Sequence, residues 1–180
     1  MAVCLLAMGF PSLASTQPSD APTGVASFEF MVEYLSGGTG KWRAPIPPRD
    51  GGPDALGLWF EPAAGGKLLE LTIVLHYGDE ARPSMKGYWL WHPGRKEILY
   101  HEVSPSGRIR TGVSHFTDAR TFVNLTEAFG LNGKSTSNRG VNTFTSENEH
   151  LTTAYKLDAR GEWVEQQSLT WVREAEPDGR

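Results

Sequence analysis

Cysteine is almost absent from this 180-residue chain, with Cys4 its single instance. One thiol excludes an intramolecular disulfide framework and any zinc cluster built on cysteine. Positive charge is also in deficit. Lys and Arg number 17 against 21 Asp and Glu, giving a formal net charge of -4. A general nucleic-acid binder needs a basic face that this balance does not supply. Catalytic motifs are missing too. No G-x-S-x-G elbow occurs, and the five histidines form neither H-x-H nor H-E-x-x-H. The sequence therefore gives no catalytic residue and no metal site. Gly130 to Ser135 echoes a phosphate loop but lacks its first glycine and the helix that should follow.

Long apolar runs are lacking as well. Ala2 to Phe10 is too short to span a bilayer, but it has the size of a signal-peptide core. Small residues follow it, with a cleavage site expected after Ala14, so residues 1–14 read as a signal peptide and the protein as periplasmic or secreted. No Lys or Arg occurs before Lys41, so the basic start of such a signal would lie upstream. Residues 15–26 read as a linker, 27–174 as one domain and 175–180 as a tail.

Gly 20 and Pro 12 supply turns. Ser27 to Leu35 is the one helical window, with Phe28, Met31 and Leu35 on one face and Ser27 as its expected N-cap. The period then changes to two. Short strands are expected around Gly40–Ala44, Leu56–Phe60, Leu68–Tyr77, Met85–Trp91, Glu97–Val103, Arg108–Phe116, Thr121–Glu127, Val141–Ser146, Leu151–Leu157 and Trp163–Arg173. Short gaps carrying Gly, Pro, Asn and Asp join them as antiparallel hairpins. One short helix before a run of hairpins predicts an all-β fold, an antiparallel up-and-down barrel of about ten strands.

Gly40-Lys41-Trp42 opens the first strand and Thr170-Trp171-Val172-Arg173 closes the last. This pairing resembles the signature of the calycins, the lipocalin and fatty-acid-binding-protein class. Helix plus strand count looks closest to its bacterial DUF1579-like or nitrobindin-like branch. The resemblance implies that Arg173 packs over Trp42 and closes one barrel end. Pro45, Pro47 and Pro48 depart from the pattern by cutting the first strand short.

A barrel rich in aromatics and free of catalytic motifs points to binding of a small apolar or amphipathic ligand. His76, Tyr88, Trp91, His101 and His115 lie on or beside strands and are the cavity candidates. The same aromatics would equally serve to fill a core. A strand histidine aimed inward could ligate haem iron, so haem is the one cofactor considered, although no motif marks its ligand. Two other readings stay open. One is a haem-dependent or isomerase-like enzyme using the same cavity; the other is a non-catalytic interaction domain. Asn124-Leu125-Thr126 matches a glycosylation acceptor but falls inside an expected strand.

Overall fold

The computed structural model describes residues 21–47 and 49–175. The expected signal peptide and most of the tail fall outside these residues. One helix, α1 (Gly24–Ser36), precedes ten strands: β1 (Lys41–Pro45), β2 (Ala55–Ala63), β3 (Leu68–Tyr77), β4 (Glu80–His92), β5 (Glu97–Val103), β6 (Ile109–Phe116), β7 (Thr121–Phe129), β8 (Ser135–Ser146), β9 (Glu149–Leu157) and β10 (Trp163–Arg173). Each strand pairs antiparallel with the next, and β10 returns to β1. The result is a closed up-and-down barrel, consistent with a calycin-like fold, in which closure removes every sheet edge.

α1 begins at Gly24, inside the expected linker, and Ser27 is not its cap. The Ser27 hydroxyl donates instead to the Gly24 carbonyl at 2.6 Å, one turn back. The face of Phe28, Met31 and Leu35 is fully buried against one end of the barrel. Trp42 lies beneath it, and its indole Nε1 donates to the Leu35 carbonyl at 2.8 Å. The Tyr34 hydroxyl sits 2.7 and 2.8 Å from the carbonyls of Ser146 and Glu149, fixing the helix to the turn between β8 and β9.

β2, β4, β7, β8 and β9 run longer than their sequence suggests, β4 and β8 the most. β4 starts at Glu80, because a register shift sets Ile73 opposite Met85 and Val74 opposite Pro83, leaving Ser84 unpaired. That bulge accommodates a proline that alternation alone reads as a stop. β8 starts at Ser135, where Ser, Thr and Asn replace the apolar alternation that marks a strand. β3, β5 and β10 have the expected bounds.

Residues paired across antiparallel strands share a face. Trp42 faces inward under α1, so its partners Leu58 and Arg173 do too, and the parity carries around the ring. α1 and the turns beside it close one end. The turns that open the other end, the mouth, lie between β1 and β2, β3 and β4, β5 and β6, β7 and β8, and β9 and β10.

Candidate functional site

The inward faces divide the lumen into two regions. Toward α1, the core holds Trp42, Phe60, Trp89, Phe122, Phe144 and Trp171, all buried. Among these rings lies His150, which pairs with Phe144 and Trp171 across the strands. Its ring centroid is 4.6 Å from that of Trp42 and 6.1 Å from that of Trp171. Among the described residues its Nδ1 has no hydrogen-bond partner. Burial, with help from the charge of Arg173, pushes its pKa down to about 3, so the ring is neutral. Arg173 stacks on the Trp42 ring with its guanidinium carbon 4.1 Å from the centroid. It also donates to the carbonyls of Tyr34 and Glu147 at 2.8 and 2.9 Å, and to that of Gly37. One side chain thereby joins β10 to α1, to β1 and to the β8–β9 turn.

Toward the mouth, the inward residues become small and polar. Tyr100 and Glu102 of β5 are both buried, and Arg110 of β6 is the register partner of Glu102. The Tyr100 hydroxyl donates to Glu102 Oε2 through a short contact, and Arg110 Nη1 lies 3.5 Å from the same oxygen. Burial and then the neighbouring Glu102 carboxyl hold the Tyr100 phenol well above its ordinary pKa, so it remains a donor. Arg110 Nε is buried without a partner among the described residues. Glycines stand opposite two of these three residues, where the neighbouring backbone comes close. Gly112 faces Tyr100, and a Cβ there would sit 2.0 Å from the Leu125 carbonyl oxygen. Gly87 faces Glu102, and its Cβ would sit 2.7 Å from the His101 carbonyl oxygen.

The apolar side of this region is formed by Leu56, Leu58, Ile73 and Leu169. All four point inward, yet each keeps part of its surface accessible. In a closed barrel, inward residues stay accessible only where they line space that water reaches. The arrangement offers apolar walls with a donor and a carboxyl set in them, which is the chemistry that holds an amphipathic molecule.

Of the cavity candidates read from sequence, only Trp91 faces inward, paired with Ile98. His76, Tyr88, His101 and His115 project from the outer face. They differ by one residue from inward neighbours, and a shift of one reverses the face. His76 is nonetheless buried, lying over Gly57 with its Nε2 unpartnered. Tyr88 and His101 do come together, as register partners with ring centroids 5.2 Å apart. His101 Nδ1 lies 3.1 Å from the Thr111 hydroxyl. Two open grooves of about 490 and 530 Å³ meet at His101 on the outer face. His115 is exposed and apart from both.

His150 is thus the only histidine facing the lumen. Its ring is 2% exposed and enclosed by four aromatic neighbours, so no macrocycle reaches it without displacing them. His150 is therefore not placed to ligate haem iron. Among the described residues, no three His, Cys, Asp or Glu side chains converge as a metal site requires. Asn124 of the glycosylation-like triplet points inward and accepts the Ser114 hydroxyl at 2.5 Å. Sequence reading missed Tyr100, Arg110 and His150. Register from Trp42 is the signal that finds them, since Ile98, Tyr100 and Glu102 alternate on its face.

No family model and no curated protein matches the chain.

Proposed function

We propose that this is an exported barrel protein that binds a small apolar or amphipathic molecule in the mouth half of its lumen. The supporting observation is the partial accessibility of the inward-facing Leu58, Ile73 and Leu169 within a closed barrel. The apolar part of the ligand lies against these side chains and Leu56. Its polar end meets the group of Tyr100, Glu102 and Arg110, whose Arg110 Nε has no partner among the described residues. Export rests on the N-terminal apolar run and on a body free of cysteine. Membership of the DUF1579-like or nitrobindin-like branch rests on a helix placed before ten strands, with Arg173 over Trp42.

Native mass spectrometry of the exported full chain, incubated with the neutral dye Nile red, tests the reading. The expected result is loss of residues 1–14 and one bound dye. Ala154→Phe sharpens it, because Ala154 points inward opposite Gly140. In open space the new ring leaves stability unchanged and blocks the dye. In a filled lumen it destabilises by about 1–3 kcal/mol through overpacking. Unfolding of that variant at reduced denaturant, or dye binding equal to that of the parent chain, would overturn the proposal.

A further inference from the structure

The outer rim of the mouth carries an apolar patch that the lumen does not explain. Val103, Ile109 and Phe129 are register neighbours on the last outward positions of β5, β6 and β7. They are 49%, 50% and 39% exposed. Above them the β7–β8 turn holds up Leu131, which is 77% exposed. Its Cδ2 lies 3.5 Å from where a Cβ on Gly107 would be, so the β5–β6 and β7–β8 turns form one tip.

The charges on that tip have one sign. Ser104 to Arg108 and Gly130 to Lys134 contain Arg108 and Lys134 and no acid. Both cations are exposed, and neither takes part in an ion pair among the described residues. The other mouth turns carry Asp50, Asp54, Asp79, Asp158 and Glu162 against Arg49 and Arg160. Glu127, one outward position below Phe129, is the exposed acid nearest the patch on its own strand. A net charge of -4 thus leaves this side of the rim positive and apolar together.

We propose that this tip docks the mouth of the barrel onto an anionic lipid surface. Leu131, the most exposed of the four, leads the tip, and lipid flows around a side chain that protrudes in this way. Arg108 and Lys134 flank the inserted side chains at the depth of the headgroups, where each basic residue adds attraction. A two-fold pairing of two copies through the tip would instead bring like charges together. Docking sets the lumen entrance at the lipid boundary, where an apolar ligand is held.

Co-sedimentation of the full chain with vesicles tests this independently of the lumen. Phosphatidylcholine vesicles containing phosphatidylglycerol are expected to bind the protein, and pure phosphatidylcholine vesicles to bind it far less. Arg108→Ser and Lys134→Ser each weaken the interaction about fivefold. Leu131→Asp abolishes it, and added salt lowers it. Ala154→Phe leaves it intact, which separates failure here from failure of the lumen reading. Three results overturn the proposal: no binding to the mixed vesicles, equal binding to both kinds, or a concentration-dependent dimer that Leu131→Asp dissolves. Circular dichroism of each variant confirms folding.

Discussion

His150 and Glu102 are both buried and both face the same lumen, yet their surroundings treat them differently. His150 sits among Tyr34, Trp42, Phe144 and Trp171, and burial leaves it neutral with an idle nitrogen. Glu102 sits opposite a glycine, with a tyrosine hydroxyl and an arginine beside it. Close packing of rings removes charge, because nothing there repays desolvation. Where small residues open the wall, partners reach the polar group and stabilise it. One half of the barrel is therefore a structural plug and the other is a place where polar chemistry survives.

Three measurements would break or sharpen that contrast. The largest effect belongs to the plug. Trp42→Ala is expected to destabilise the chain by about 3–5 kcal/mol in equilibrium unfolding, since the indole is fully buried. A loss below about 1 kcal/mol would mean that the aromatic end is no plug. The next effect is a pH dependence. His150 has its pKa lowered to about 3 from 6.5, so the unfolded chain binds a proton that the folded chain refuses between those values. Stability from this group is complete above the unfolded pKa and falls as the solution is acidified. The loss from pH 7 to pH 4 is about 3 kcal/mol, and comparing the parent chain with His150→Phe at both pH values isolates it. The smallest effect belongs to the mouth. Tyr100→Phe removes a hydrogen bond to a carboxyl and is expected to cost about 2 kcal/mol by denaturant titration. A cost equal to that of Trp42→Ala would erase the difference between the halves.

Much of the fold is legible in the order of residues. The spacing of turns and the alternation within β3, β5 and β10 give their bounds, and Trp42 and Arg173 prove to be register partners. Facing is harder to read. On β4, Tyr88, Trp89, Leu90 and Trp91 are all bulky, so period two has no contrast to act on. Only the chain of pairings that starts at Trp42 sends Trp89 and Trp91 inward and Tyr88 and His101 outward. The mouth escaped notice for the opposite reason. Thr136, Asn138 and Gly140 carry no apolar signal, although they line the lumen. His150, two residues after Asn148 in a tight turn, looks solvated until the helix is known to cover it.

The seam between β1 and β10 carries a consequence for folding. It has two registered pairs, Trp42 with Arg173 and Arg43 with Val172, and it joins the strand made earliest to the one made last. Until β10 pairs with β1, both strands stand as open edges able to pair with other chains. Completion of the ring waits on a single late residue, Arg173, whose arrival locks α1, β1 and the β8–β9 turn together. The interval before this seam forms is therefore when the chain is most open to edge-to-edge pairing, and a chaperone that shields sheet edges would act there.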